Sequence, residues 1–135
     1  MNIGYRIKYI RRLKGFTQKE LGVAMGFDEK SADIRIAQYE SGSRIPKEDV
    51  INKFAKVLGV VPNALIVPDI KSFDALIHIL FALEDECRRE GLFKKDEMIK
   101  FLSFWQEKSQ EVRDGHISKE DYDLWRFNYA TSSKE

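Results

Sequence analysis

The chain is 135 residues long, with 43% hydrophobic and 33% charged side chains, and 23 Lys and Arg against 22 Asp and Glu. With only 8 Gly and 3 Pro, this composition excludes a disordered tail, a collagen-like fibre and a Pro-rich linker, and the length fits one compact domain or one small domain plus an appendage. A single cysteine, Cys87, excludes an internal disulfide framework and a Cys-rich metal site.

No apolar run is long enough to span a bilayer, and the first segment lacks the apolar stretch of a secretory signal. The expected location is therefore the cytoplasm, with no membrane partner. The near-neutral total hides an asymmetry: residues 1–70 carry 12 basic and 8 acidic side chains, residues 71–135 carry 11 and 14. Arg6, Lys8, Arg11, Arg12 and Lys14 fall in the first sixteen residues with no acid among them. That arrangement suits a polyanion at one end and something else at the other. It also suits the solvated outside of a first helix, with Arg11 or Arg12 the candidate phosphate contacts.

Ile3, Ile7, Ile10 and Leu13 recur at three and four residues and predict a first helix, ended by Gly15. Thr17 then reads as an N-cap, Glu20 completes a capping box, and Phe16 with Leu21 forms a staple. The second helix turns Leu21, Ala24 and Met25 inward and stops at Gly26. Phe27 to Ser31 read as a polar turn. A third helix over Ser31 to Glu40 has Ala32, Ile36 and Tyr39 on one face, and Ser41-Gly42-Ser43 ends it. Pro46 opens a fourth, with Val50, Ile51, Phe54, Ala55 and Leu58 as its stripe, and Pro62 starts a brief fifth through Leu65.

Pro68-Asp69 marks the boundary between a domain at 1–68 and a helical extension at 69–135. Beyond it, Phe73, Leu76, Ile77, Leu80, Phe81 and Leu83 predict a long helix to about Arg89, broken by Gly91. Met98, Phe101, Leu102, Trp105 and Val112 predict another, ending near Gly115. Ile117-Ser118 with Asp121 and Tyr122 starts a last one through about Tyr129. No stretch alternates long enough for a strand, so the fold class is all-α.

Two short helices with a tight link suit a helix-turn-helix, whose second member fits a major groove of about 12 Å. Periodicity alone leaves this open, since any small helical bundle has short helices. The segments Phe16-Thr17-Gln18-Lys19-Glu20-Leu21, Ile36-Ala37-Gln38-Tyr39-Glu40-Ser41-Gly42, Arg44-Ile45-Pro46 and Ile51 to Val60 stand in order. They resemble the lambda-repressor-like, or XRE, family of bacterial helix-turn-helix regulators over about residues 3–67.

The resemblance implies a five-helix domain that binds double-stranded DNA. It places Gln18 on a phosphate while bracing the recognition helix, and Gln38 at base edges, where Gln pairs with adenine. Arg35, three residues earlier, shares that exposed side and reads bases with it. Ser41, Ser43 and Arg44 match the loop that contacts the sugar-phosphate strand, with Lys47 beside the next helix start. Glu40 matches a structural position. The span from Gly26 to Glu40 is 14 residues, against about ten in the family, an insertion of about four that either lengthens the turn or extends the helix end where base contacts cluster. Lys30, Asp33 and Ile34 fall there; Lys30 is a candidate DNA contact, and Asp33 repels phosphate unless it meets a cytosine amino group. The long turn resembles a Gram-positive subset with a helical C-terminal extension.

Residues 69–135 hold ten aromatic side chains from Phe73 to Tyr129, among them Phe93 and Trp125. Three helices must bury something, yet Phe101, Leu102, Phe104 and Trp105 surround their helix too broadly for one inward stripe. A homodimer accounts for the surplus. His78, His116 and Cys87 form no catalytic set, and Glu84-Asp85-Glu86 reads as a solvated face, so neither an enzyme, a metal nor a cofactor is expected. The leading expectation is a sequence-specific dsDNA-binding transcriptional regulator, acting as a dimeric repressor. The alternatives are an antitoxin-type protein whose C-terminal half covers a partner protein, and a regulator that senses a ligand.

Overall fold

Several helices begin where a side chain satisfies an orphan amide of the first turn. Asn2 accepts from the Gly4 amide at 2.8 Å and starts α1 (Ile3–Leu13). Thr17 accepts from the Glu20 amide at 3.1 Å while its own amide donates to Glu20 Oε2 at 2.8 Å, the expected capping box of α2 (Gln18–Ala24). Hydrogen bonds from Thr17 to the Glu20 carboxyl, the one from its amide foremost and the one from its side chain second, hold that carboxyl below its ordinary range. The structure is a computed structural model and describes residues 2–87 and 94–129.

The described residues are helical or irregular, with no strand. α3 (Ala32–Ser41) ends on Gly42, whose φ of 81° is a left-handed conformation that favours glycine. α4 (Glu48–Leu58) begins two residues after Pro46, not at it, with Lys47 as its extended N-cap. Glu48 and Asp49 occupy its first turn, where negative charge opposes the helix dipole. The expected fifth helix is a single 3-10 turn, Pro62–Ala64. Pro62 supplies the fixed φ for that turn.

The inward faces converge on one core. Ile7 and Ile10, Leu21 and Met25, Ile36 and Tyr39, Phe54 and Leu58 are buried together with Leu65. Ala24 is exposed, contrary to its expected inward position; Gly22 is buried in its place. The reason lies in spacing. A methyl added at Gly22 would stand 2.6 Å from the Ala32 carbonyl oxygen and 2.7 Å from Ala32 Cβ, and one at Gly4 would stand 2.4 Å from the Tyr39 carbonyl oxygen. α3 therefore touches the backbones of both α1 and α2.

The chain divides into two compact units, one of residues 1–68 with 123–135 and one of residues 69–122. This differs from an extension running over 69–135 in one respect, the end of α7 (Lys119–Asn128). Phe127 joins the core of the first unit, its carbonyl accepts from the Val61 amide at 3.0 Å, and its ring meets Tyr9 edge-on at 6.1 Å. Tyr9 and Arg126 both donate to Asp123, which is fully buried.

In the second unit, Ser72 accepts from the Ala75 amide at 3.1 Å near the start of α5 (Phe73–Cys87). Lys95 of α6 (Lys95–Arg113) pairs with Glu84 of α5 at 2.7 Å. Ser118 accepts from the Asp121 amide at 3.0 Å at the start of α7, as expected. Trp105 Nε1 donates to the Tyr122 hydroxyl at 2.7 Å. The expected helix end at Arg89, the break at Gly91 and the aromatic Phe93 lie outside the described residues.

Gly22→Ala tests the close approach. Alanine gains up to about 1 kcal/mol of helix propensity, but overpacking against Ala32 costs about 1–3 kcal/mol. The urea midpoint is expected to fall at unchanged slope. A midpoint that holds or rises means that α3 gives way without loss.

Candidate nucleic-acid interface

α3 is oriented by a charge cluster at its C-terminal end. A carboxylate there is repelled by the negative end of the helix dipole, so a cation close to Glu40 is stabilising. Arg11, in the last turn of α1, supplies it: Nε donates to Glu40 Oε1 at 2.5 Å and Nη2 to Oε2 at 3.3 Å. Nη1 donates to the Phe16 carbonyl at 2.7 Å, and Gln18 Nε2 donates to Glu40 Oε2 at 2.9 Å. The two charged side chains are only 9% and 4% exposed. One carboxylate thus joins α1, the first residue of α2 and α3.

This network corrects the reading of Arg11 as a phosphate contact, because its guanidinium is engaged inside the domain; Arg12 is exposed. Gln18 is half-buried with its amide on Glu40, an arrangement that braces α3.

The segment where an insertion is expected is turn. α2 ends at Ala24 and α3 starts at Ala32, and between them Asp28 accepts from the Lys30 amide at 2.9 Å through its side chain and from the Ser31 amide at 3.0 Å through its carbonyl. Lys30 is exposed on this turn. Phe27 does not fit the polar reading of the segment: it packs on the core, and its ring stacks on Tyr39 at 6.4 Å and 21°. The Arg35 guanidinium lies over the same ring at 4.0 Å. Arg35 is consequently half-buried, whereas Gln38 is exposed. Sequence reasoning missed Phe27 as the support of Arg35; an aromatic residue directly after the helix-ending Gly26 was the available signal.

Asp33, Ile34, Gln38 and Ser41 form the exposed side of α3. Asp33 stands in the first turn, where it balances the dipole. At the other end the Gln38 carbonyl accepts from Ser41 Oγ at 3.1 Å, Ser43 Oγ at 3.2 Å and the Arg44 amide at 3.0 Å. The loop is therefore folded back onto the residue expected to face bases. Arg44 is exposed, its guanidinium 5.6 Å from the Tyr39 ring centre, and Lys47 is exposed at the start of α4. Lys30, Arg44 and Lys47 are exposed and Arg35 is half-buried, while Glu40 is paired with Arg11.

A family model described as helix-turn-helix matches residues 7–63. YazB of Bacillus subtilis (strain 168), an uncharacterized HTH-type transcriptional regulator, is 35% identical over 66 residues, which are 49% of this chain and 90% of that protein. The chain belongs to the helix-turn-helix transcriptional regulators. The crystal structure of the transcriptional regulator BswR is 27% identical with a TM-score of 0.50, and the match covers 79% of this regulator and 94% of that chain. The XRE resemblance read from the motifs therefore holds for the regulator. Among its described residues no helix is long and apolar enough to cross a membrane, and no group of three or more His, Cys, Asp or Glu could hold a metal ion.

Arg11→Met leaves the Glu40 carboxylate buried with Gln18 as its remaining donor. The expected cost is about 3–5 kcal/mol in urea unfolding, and the double variant Arg11→Met with Glu40→Leu recovers a large part of it. Additive losses in the double variant would show that the pair is not coupled.

Proposed function

We propose that this regulator binds double-stranded DNA sequence-specifically with α3 in the major groove, that it represses by occupying its site, and that it works as a homodimer. The observation that carries the reading is the two-sidedness of α3. Ala32, Ile36, Tyr39 and Glu40 tie its inner side to the domain, and Gln38 is exposed on the other side with Asp33, Ile34 and Ser41. A helix of about 10–12 Å diameter fits a groove of about 12 Å.

Gln38 is then the base reader, pairing with adenine, and Arg35 offers guanine or phosphate the edge of a guanidinium whose face rests on Phe27. Arg44, Lys47 and Lys30 supply charge to the phosphates. Ser41 and Ser43 serve first to hold the loop, since their hydroxyls are engaged with the Gln38 carbonyl and with each other at 3.1 Å. Their phosphate contact requires those protons to turn outward. Gln18 acts on the backbone through the position it gives α3.

Dimerisation is supported by the second unit. None of the 19 residues of α6 is buried, and Ile99, Leu102, Phe104 and Trp105 are exposed on it, as are Phe73 and Phe81 on α5. Apolar surface of this extent is removed from water by a second copy. Two copies read two half-sites about 34 Å apart.

Binding titrations on operator fragments selected from the genome test the interface. Gln38→Ala is expected to relax discrimination at one base position by about 1–3 kcal/mol, and Arg44→Ala to weaken all sequences alike and lower the salt slope by about one. Wild-type binding by both variants would overturn the assignment, and a reporter gene that rises when the protein is supplied would overturn repression.

Light scattering tests the dimer. A mass twice the 15.8 kDa chain is expected, falling to one chain in Leu102→Glu. A monomeric wild type, or a stable complex with a different protein on this face, would favour the partner-binding reading instead.

A further inference from the structure

We propose that Ile34 reads the C5 methyl group of a thymine and is a further specificity-determining residue of α3. The inference deepens the proposed placing of α3 in the major groove and rests on it. Ile34 is 57% exposed and takes no part in the core of the first unit. A single exposed apolar side chain is ordinary on a protein surface. What singles this one out is its place on the helix.

Ile34, Gln38 and Ser41 are all exposed, and at about 3.6 residues per turn they lie within about 60° of one another around the axis. The buried Ala32, Ile36 and Tyr39 stand about 140–160° round from Ile34. Asp33 and Arg35 stand about 100° to either side, the first exposed, the second half-buried with its guanidinium over Phe27. Ile34 therefore occupies the crest of the outward face, where a helix lying in the groove meets base edges.

The chemistry of the side chain decides what it reads there. Thymine is the one base that presents a methyl group in the major groove. Isoleucine has no hydrogen-bonding group, so it gains only from an apolar feature of a base edge. Set against a cytosine amino group or a guanine oxygen, it would strip water from a polar atom and offer no partner. Its branched β-carbon holds one preferred rotamer in a helix, so little freedom is lost on contact. Gln38, four residues on, stands about 6 Å along the axis, about two base-pair steps. The thymine therefore lies within about two base pairs of the adenine that Gln38 reads.

The test is anisotropy titration of the full-length protein on its selected operator duplex, with thymines replaced one at a time by deoxyuridine, which removes the C5 methyl alone. At one position within about two base pairs of that relaxed by Gln38→Ala, deoxyuridine is expected to weaken wild-type binding about fourfold, the worth of one buried methyl. Ile34→Ala is expected to bind the thymine and deoxyuridine duplexes equally. The side chain is exposed and alanine is the better helix former, so this variant keeps the fold. With cytosine at the same position, 5-methylation is expected to strengthen wild-type binding about fourfold and to leave Ile34→Ala unchanged. The absence of any thymine whose methyl effect vanishes in Ile34→Ala overturns the assignment and leaves the reading of α3 intact. Failure of that reading shows differently, as wild-type binding by Gln38→Ala and Arg44→Ala, and it overturns this inference as well. Should Ile34→Ala fail to fold, Ile34→Gln takes its place in the same comparison.

Discussion

The orientation of α3 depends on one buried carboxylate. Glu40 is nearly inaccessible to water and would be unaffordable there alone, since an isolated buried charge costs far more than any contact around it returns. Arg11 from the first helix and Gln18 from the second make it tolerable, and in doing so they set the position of the third relative to both. A hydrophobic pair of the same size would pack without prescribing a direction. The bidentate geometry of a guanidinium prescribes one, and a helix that must meet an external surface needs a defined rotation about its axis.

Close backbone approach completes this constraint from the other side. Gly4 and Gly22 let α1 and α2 come within contact of the α3 backbone, so α3 is seated by main chain at Ala32 and Tyr39 and by charge at Glu40. With its inner side so heavily committed, the outer side is free to carry residues chosen for something other than packing. Phe27 extends the same logic into the turn between α2 and α3. Its ring stacks on Tyr39 and supports Arg35.

Much of this was legible in the residues. The helix start at Thr17 and the stop at Ser41-Gly42-Ser43 follow from local chemistry, and local chemistry is what periodicity and capping patterns record. The stripes of α3 and α4 were equally plain. What escaped was determined by residues distant in the chain. Arg11 reads as an unopposed cation because its partner stands 29 positions away, and Ala24 reads as inward because nothing local reveals that Gly22 is where the neighbouring backbone comes near. Arg35 shares helical phase with Gln38, yet a ring from the preceding turn draws it partly under cover. The residues proposed to face DNA came from resemblance; the support beneath them came only from the fold.

The return of Phe127 to the first unit changes what that unit is. The chain leaves it at Pro68 and re-enters at Asp123, so the segment between is spliced into the domain at two points and does not hang from one. A pendant segment can swivel about its single hinge without consequence for its host. One anchored at both ends transmits twist through two covalent junctions, and the second of these carries a ring lodged in the host's own core. At that second junction Tyr9 bonds to Asp123, so the returning segment is fastened to α1, the same helix that holds Glu40 through Arg11.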